Sequence, residues 1–195
     1  FLSEILDRPE LWLTARYDRT DQSSPGGSRR WTSAIEDCSI LRESDGRLLV
    51  GTEEGLVALD TETGSESWHS HFESPVRALT VTDDTVYAGI KGDENNGRLY
   101  ALDPASGEVQ WKTLVGEKPR CIVHAPELGD DGLVLGNFGR PTDDGGAIEA
   151  FEPDSGTRRW RATVGGTPKW RPAVDGQSVY AACRVHSVAR TREEV

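Results

Sequence analysis

A repeated turn followed by a tryptophan is the feature that most constrains this chain. Ala, an acid, Gly and Trp recur at fixed offsets in three segments, at residues 58–68, 101–111 and 150–160. The glycines of these segments are 43 and then 49 residues apart. Periods of that size are typical of propellers and solenoids, in which similar units pack on one another. The sequence therefore predicts a repeat architecture.

Each copy also has a local physical meaning. An alternating apolar stretch such as residues 98–102 predicts a strand, and the acid after it can accept backbone N–H groups of a turn. The glycine supplies the positive φ that such a turn needs. The chain then returns as a second strand that ends in Trp, whose large apolar ring needs a neighbouring surface. Because one small sheet cannot provide that surface, we expect the copies to stack.

These segments resemble the tryptophan-docking motif Ala-x-Asp-x-x-x-Gly-x-x-x-Trp of PQQ-like repeat β-propellers, a family of quinoproteins and BamB-like scaffolds. The resemblance covers about residues 31–183 and implies an all-β fold of four-stranded antiparallel blades. It also implies that the Trp of each blade packs against the next blade. The third copy has Glu in place of Asp. The matching residues are Ala58, Asp60, Gly64, Trp68, Ala101, Asp103, Gly107, Trp111, Ala150, Glu152, Gly156 and Trp160.

The turns between the copies predict how much of a propeller is present. Tight, mostly acidic turns predict four hairpins between the first and second strands of successive blades, at residues 43–46, 82–84, 129–132 and 175–177. Upstream, residues 11–15 and 30–31 are interpreted as the last two strands of a degenerate blade, after a short helix at residues 1–6. We therefore expect a partial ring of about four to five blades' worth of sequence.

The domain organisation follows from this reading. A degenerate first blade and irregular segment is predicted for residues 1–30, and the regular repeats for residues 31–183. Residues 184–195 have no strand pattern and are predicted to be a frayed tail. A partial ring leaves strand edges open, so we expect missing blades or a second copy of the chain to complete it.

Charge limits the partners of this chain. The formal net charge is −11, with 33 acidic residues and 18 Arg but only 4 Lys. This balance argues against binding to nucleic acid, whose phosphates need a basic surface. A Lys-poor, acidic surface suggests a protein from a halophile, and the alternative is an ordinary acidic domain. Counting Lys in other proteins of the same source would test the hypothesis.

Cysteines and apolar runs give further limits. Cys38, Cys121 and Cys183 are scattered, so they predict small apolar core residues rather than a disulfide framework or a metal site. No run approaches the roughly 18 apolar residues of a membrane span, and no signal-peptide pattern follows Phe1. The sequence lacks Met, so we do not expect Phe1 to be the native start. The resemblance favours an extracytoplasmic or membrane-tethered location.

A candidate binding face consists of loops that differ between the repeats. In a propeller, the loops between second and third strands share one face with the connections between blades. Variable loops on a rigid scaffold are the usual place for binding residues, and we expect a protein partner there. The alternative is that these loops only gather acids. The candidate residues are Glu53, Glu54, Asp93, Glu94, Asn95, Arg140, Asp143, Asp144, Arg120 and Arg171.

Three arginines follow Pro at the entry to successive inner strands, namely Arg77, Arg120 and Arg171. If they point into the central funnel, they form a cationic ring that can meet a carboxylate or phosphate. The offset from Pro is not constant, and the alternative is that some of them pair sideways with acids. We favour the pairing.

Two groups of residues are candidate metal ligands. His69, His71 and Glu73 alternate, which on a strand puts them on one face, as a two-His-one-carboxylate site requires. A polar outer face explains them more simply. The loop at residues 93–96 offers oxygen ligands, but its spacing differs from a calcium loop, and a solvated turn is favoured. We therefore expect no metal site.

The resemblance implies two functions. The favoured one is a non-catalytic scaffold for protein interaction or ligand binding, without a cofactor. The alternative is a fragment of a PQQ-dependent quinoprotein dehydrogenase, in which the quinone lies under a disulfide of adjacent cysteines and Ca²⁺ is held by carboxylates and an Asn. No two cysteines are adjacent here, and no acid matches the calcium or base positions. The sequence also lacks a phosphate-binding loop and a nucleophile elbow.

Overall fold

The computed structural model describes residues 11–18, 28–90, 97–116, 122–123, 127–129, 132–138, 146–168, 172–175 and 178–184. The regular structure within these ranges is β-strand. Two sheets have four strands each, and a third has the same arrangement with its first strand divided in two. Smaller two-stranded sheets come before and after these three in the sequence. The prediction of an all-β chain of four-stranded antiparallel sheets is confirmed. The described part of the chain has no helix that is long and apolar enough to cross a membrane.

The sheets are numbered as blades in chain order. Blade 1 pairs β1 (Leu11–Asp18) with β2 (Ser28–Glu36). Blade 2 contains β3 (Ile40–Ser44), β4 (Arg47–Gly51), β5 (Gly55–Asp60) and β6 (Glu66–His71). Blade 3 contains β7 (Val76–Val81), β8 (Val86–Ile90), β9 (Gly97–Leu102) and β10 (Val109–Val115).

Blade 4 has a divided first strand. Both β11 (Ile122–Val123) and β12 (Glu127–Gly129) pair with β13 (Gly132–Phe138), and β14 (Gly146–Phe151) and β15 (Arg158–Val164) follow. Blade 5 is represented by β17 (Ala173–Asp175) and β18 (Ser178–Tyr180). Next to it, β16 (Thr167–Pro168) pairs with β19 (Cys183–Arg184). Within blades 2 and 3, consecutive strands pair antiparallel, and in blade 4 the pairs β13–β14 and β14–β15 are also antiparallel.

The four predicted hairpins are confirmed. They correspond to the antiparallel pairs β3–β4, β7–β8, β12–β13 and β17–β18. The two strands predicted upstream form an antiparallel pair, but they are longer than residues 11–15 and 30–31, and β2 continues past the predicted boundary at residue 30. The helix predicted at residues 1–6 and residues 185–195 of the predicted tail lie outside the described residues.

The core lies between neighbouring blades. Side chains alternate across a strand, so β8 and β9 each contribute to two interfaces. Val86, Ala88, Tyr100 and Leu102 pack towards blade 2, whereas Tyr87, Leu99 and Ala101 pack towards Phe151 of blade 4. The strands are therefore apolar on both faces, and each complete blade is covered on two sides.

The same alternation continues in the other blades. Val57 and Leu59 of β5 pack with Trp31 and Ile35 of blade 1. Ile148 and Ala150 of β14 pack with Val174, Val179 and Ala181 of blade 5. Because each interface joins sequential blades, the stack is continuous from blade 1 to blade 5.

The interface between blades 3 and 4 can be tested with a matched pair of leucines. Leu99 is fully buried there, whereas Leu114 on the outer strand β10 is 57% exposed. We expect Leu99→Ala to lower the free energy of unfolding by about 2–5 kcal/mol, because it removes buried methyl groups and leaves a cavity. Leu114→Ala should change it by less than about 0.5 kcal/mol. Urea unfolding measures both, and equal losses would contradict the assigned interface.

Candidate functional site

Three docking turns, defined as residues 60–64, 103–107 and 152–156, join the last two strands of blades 2, 3 and 4. In the first turn, Asp60 Oδ1 accepts hydrogen bonds from the backbone N–H of Glu62 and of Thr63, at 3.0 and 2.7 Å. The Thr63 hydroxyl lies 2.8 Å from the same oxygen and donates to it. The backbone N–H of Gly64 donates to the Asp60 carbonyl at 2.8 Å, and Gly64 has a φ of 74°. One carboxylate therefore organises the whole turn.

The second docking turn repeats this arrangement. Asp103 Oδ1 accepts from the backbone N–H of Ala105 and from the backbone N–H and hydroxyl of Ser106, at 2.8–2.9 Å. These bonds favour the ionised carboxylate. The hydrogen bonds from Ser106 hold the pKa of Asp103 below its ordinary value, and those from Thr63 do the same for the pKa of Asp60.

The third docking turn keeps the backbone but changes the side-chain bonding. The N–H of Glu152 donates to the Thr157 carbonyl at 2.8 Å, and the N–H of Gly156 donates to the Glu152 carbonyl at 2.9 Å. The longer Glu152 side chain turns to Arg159, with Oε1 at 2.8 Å from Nε. The backbone hydrogen bonds of the turn are therefore retained, while the acidic side chain forms an ion pair and not the hydrogen bonds to the turn.

Each docking tryptophan binds the docking turn of the following blade. The indole N–H of Trp68 donates to the Pro104 carbonyl at 3.1 Å, and that of Trp111 donates to the Pro153 carbonyl at 2.8 Å. Trp31 does the same with the Thr61 carbonyl at 2.8 Å. The three acceptors are at one motif position, directly after the acid. The contact therefore has the same register in three successive blade pairs.

The ring of each docked indole covers the glycine of the turn. A Cβ built on Gly64 would lie 2.5 Å from Trp31, and one on Gly156 would lie 2.5 Å from Trp111. A Cβ on Gly107 would be closer still to Trp68. Glycine is required at this position for two reasons: its φ is positive, and the indole occupies the space that a side chain would fill.

Trp31 and Trp160 differ from the predicted set of docking residues. Trp31 docks although the set omitted it, and the signal was available in Arg-Arg-Trp at residues 29–31, which repeats at residues 158–160. Trp160 lies opposite Ala150, as Trp111 lies opposite Ala101, but its side chain is 41% exposed. No docking turn among the described residues receives it.

On the candidate binding face, the described charges pair between neighbouring segments. Arg77 Nη2, at the start of β7, lies 2.5 Å from Glu53 Oε1 in the β4–β5 loop. Arg98 Nη1, at the start of β9, lies 3.5 Å from Glu73 Oε2 in the connection between blades 2 and 3. Both pairs are partly exposed, so each contributes at most about 1 kcal/mol. Arg77 pairs with an acid, as the favoured interpretation held.

The remaining candidate residues divide between described and undescribed segments. Glu54 is exposed, and its carbonyl accepts the N–H of Phe72 at 2.8 Å, which fixes the blade 2 loop to the following connection. The others lie outside the described residues: Asp93, Glu94, Asn95, Arg140, Asp143, Asp144, Arg120 and Arg171.

The metal hypothesis needed His69, His71 and Glu73 on one strand face, and the structure does not assemble them. The rings of His69 and His71 are adjacent, with centroids 3.9 Å apart. β6 ends at His71, however, and the carboxylate of Glu73 pairs with Arg98. The described residues contain no group of three His, Cys, Asp or Glu side chains that could hold a metal ion. The expected alternation fails for Glu73 because the strand stops two residues before it.

Glu149 is a buried acid that sequence analysis missed. It is fully buried in β14, at the position that Val57 and Tyr100 occupy in blades 2 and 3. Its Oε2 accepts the N–H of Gly116 from blade 3 at 2.9 Å, and its Oε1 lies 3.0 Å from Arg158 Nη1. The carboxylate is therefore buried, whereas its partner Arg158 is 44% exposed. The available signal was a charge inside the apolar run at residues 146–151.

Residues 19–182 match the family described as outer membrane protein assembly factor BamB. The chain belongs to this family. The crystal structure of BamB from Moraxella catarrhalis superposes with a TM-score of 0.61 at 24% identity, over 81% of this chain and 51% of that protein. The propeller fold is therefore confirmed.

Sequence relatives of this BamB-family chain include two dehydrogenases. The quinohemoprotein alcohol dehydrogenase of Comamonas testosteroni is 28% identical over an alignment of 196 positions, which covers 88% of this chain and 27% of that protein. Quinohemoprotein alcohol dehydrogenase ADH IIB of Pseudomonas putida is 33% identical over an alignment of 124 positions, which covers 58% of this chain and 18% of that protein. The chain thus spans about a quarter or less of the length of these enzymes, and about half of BamB.

The cysteines of this BamB-family chain bear on the disulfide that the resemblance implies. Cys38 and Cys183 are free and half-buried, and burial raises the pKa of each thiol. Cys38 packs beside Val50 and Val57, so of the two it is closer to the predicted core role. Cys121 lies outside the described residues, and no two cysteines are adjacent in the sequence. The disulfide and the carboxylate cluster that the resemblance implies therefore have no counterpart in the described residues.

Substituting the docking glycine tests the indole contact. We expect Gly107→Ala to lower the free energy of unfolding by about 2–4 kcal/mol, because positive φ costs an L-residue about 1–2 kcal/mol and the new Cβ overpacks against Trp68. Gly165→Ala is the matched control, since a Cβ there meets no atom within 4 Å. Thermal unfolding of both variants measures the difference. A Gly107→Ala protein as stable as the control would contradict the contact.

The docking carboxylates predict a pH dependence. Because the folded-state pKa of Asp103 lies below its unfolded value, its contribution is present above the unfolded value of about 3.9 and is lost as pH falls through the folded pKa. We therefore expect Asp103→Asn to be less stable than the unmodified chain at pH 7, with the difference shrinking towards pH 2. Asp103→Ala, which loses the acceptor, should be destabilised at both pH values. Urea unfolding at both pH values provides the comparison, and a constant Asn difference would refute the explanation.

Proposed function

We propose that this chain is a non-catalytic propeller scaffold that binds a protein partner on the candidate binding face. The observation that carries the proposal is that the residues of the repeated motif are used for contacts between blades. Asp60, Trp68 and Gly107 hold turns and indoles in place, and none of them is left for chemistry on a substrate. A rigid array that presents variable loops is a common basis for binding.

The charges of the candidate binding face support a positioning role. Glu53 with Arg77, and Glu73 with Arg98, connect loops to strand starts and so fix the loop backbone. Glu54 remains exposed beside the first pair. A partner with basic or hydrogen-bonding side chains would match the exposed carboxylate of Glu54, because complementary charge steers association and fixes orientation.

A second candidate function is a part of a PQQ-dependent dehydrogenase propeller. The identities of 33% and 28% to quinohemoprotein alcohol dehydrogenases favour it. The sequence contains no adjacent cysteines, and the described residues contain no group of three His, Cys, Asp or Glu side chains that could hold a metal ion.

One experiment separates the two candidates. A photo-crosslinking residue placed at Glu54, on the candidate binding face, is compared with one at Asp84, in the exposed β7–β8 turn at the other end of the strands. Irradiation in the source cells should give a discrete protein adduct, identifiable by mass spectrometry, from position 54 and not from position 84. Adducts absent or equal at both positions would refute the proposed scaffold role.

The second candidate is tested in a parallel arm. The purified chain is incubated with PQQ and Ca²⁺ and passed through gel filtration, with the Comamonas testosteroni dehydrogenase apoprotein as a positive control. We expect the quinone absorbance to separate from the chain. Stoichiometric retention would support the dehydrogenase alternative instead.

A further inference from the structure

Two of the three ligands of the predicted two-His-one-carboxylate site are together in the structure. His69 and His71 lie on β6, with ring centroids 3.9 Å apart and ring planes inclined by 35°. Both side chains are exposed. A metal ion can therefore reach both imidazoles from solvent without any opening of the fold.

The packing of β6 on blade 3 determines which way the histidines face. Trp68 and Ser70 alternate with them along the strand, and both donate hydrogen bonds to carbonyls of the docking turn at residues 103–107, at 3.1 and 2.5 Å. Since side chains alternate across a strand, His69 and His71 point together to the opposite side. The docking contact thus presents the two imidazoles side by side.

The backbone that carries the imidazoles is also held by β5. His69 lies opposite Val57, and His71 lies opposite Gly55, in the antiparallel register of the two strands. A Cβ built on Gly55 would lie 3.1 Å from the Cα of His71, so the strands are in close contact at this point. A rigid backbone lowers the conformational cost of bringing two ligands to one metal ion.

The spacing of the rings is close to that of a chelated metal. Imidazole nitrogens bind first-row metals at about 2.0–2.1 Å, so two imidazoles at right-angled positions have ring centroids roughly 4.5 Å apart. The rings of His69 and His71 are 3.9 Å apart, so small rotations about their side-chain bonds bring one nitrogen of each to a single ion. Right-angled positions are those of square-planar and octahedral complexes, which Cu²⁺ and Ni²⁺ prefer, rather than of tetrahedral Zn²⁺.

The histidine pair is not part of the repeated framework. Blades 1 and 3 dock their tryptophans without histidine at these positions, so the contact between blades does not require the pair. The residues one and three positions after the repeated Trp are Thr32 and Ala34 in blade 1, Lys112 and Leu114 in blade 3, and Arg161 and Thr163 in blade 4. A role in binding a ligand therefore accounts for the pair where the fold does not.

We propose that His69 and His71 form a two-imidazole chelate site for a divalent transition metal, which binds Cu²⁺ more tightly than Ni²⁺. Imidazole nitrogen suits these metals, and the affinity of a given site rises along the first row to Cu²⁺. Glu73 takes no part, because its carboxylate pairs with Arg98. The net charge of −11 favours cations around the chain. The site is independent of the proposed scaffold role.

A nickel titration tests the site on the full chain, purified without a polyhistidine tag. Isothermal titration calorimetry with NiCl₂ should show one ion per chain. His69→Gln and His71→Gln should each weaken binding by at least about tenfold, because the second imidazole acts at a high effective concentration once the first has bound. Affinity that is unchanged in either variant would overturn the proposal.

Two controls accompany the titration. The double variant His124→Gln with His186→Gln removes the other two of the four histidines and should bind Ni²⁺ as the unmodified chain does. Glu73→Gln should also leave the affinity unchanged. A loss of affinity in the double variant would assign the ion to another part of the chain, and a loss in Glu73→Gln would contradict a site made of two imidazoles. Unchanged circular dichroism shows that each variant folds.

Electron paramagnetic resonance identifies the ligands directly. One equivalent of Cu²⁺ is added in a background without the three cysteines, whose thiols would otherwise reduce it. The spectrum should show coupling to two imidazole nitrogens, and to a single one in His69→Gln and in His71→Gln. The same spectrum in the unmodified chain and in both variants would reveal an adventitious ion only and refute the chelate.

Discussion

The hydrogen bond from an indole N–H to a carbonyl of the next blade, with the indole ring lying on a glycine, is the contact on which this fold depends. It is formed by Trp31, Trp68 and Trp111 with acceptors 30, 36 and 42 residues further along the chain. Each acceptor sits in a turn that an acid has already organised. Because the turn is rigid and the glycine leaves space for the ring, the docking fixes both the distance and the rotation between blades. The apolar contacts between adjacent strands then fill an interface whose geometry is set.

Because the docking contact sets the geometry between blades, residues at other positions can change. Glu152 replaces the usual Asp and pairs with Arg159, yet the backbone turn is retained and still accepts Trp111. Glu149 replaces an apolar residue at the interface of blades 3 and 4, where Gly116 and Arg158 satisfy its carboxylate. Such substitutions alter side-chain bonding without altering the stack. A scaffold of this kind tolerates different loops, and its relatives accordingly include an assembly factor and alcohol dehydrogenases.

The docking contact is not formed at every repeated tryptophan of the described residues. Blades 2 and 3 each receive an indole from the preceding blade and dock one on the following blade. The indole of Trp160 is exposed and docks on no turn among the described residues. Tyr180 is also exposed, whereas its equivalent in blade 3, Tyr87, is buried.

The sequence by itself determined the repeat, the hairpins and the identity of most docking residues, because these depend on local turn chemistry and on strict spacing. Acid, glycine and tryptophan at fixed offsets specify a turn and a side chain in need of cover, whichever blade they belong to. Only the tertiary structure decided which partner each residue uses. It shows that Glu73 pairs with Arg98 and not with the histidines, that Glu149 is buried, and that Trp31 docks whereas Trp160 is exposed. Those outcomes depend on where strands end and on which blade lies alongside, and both are set by packing between segments far apart in the chain.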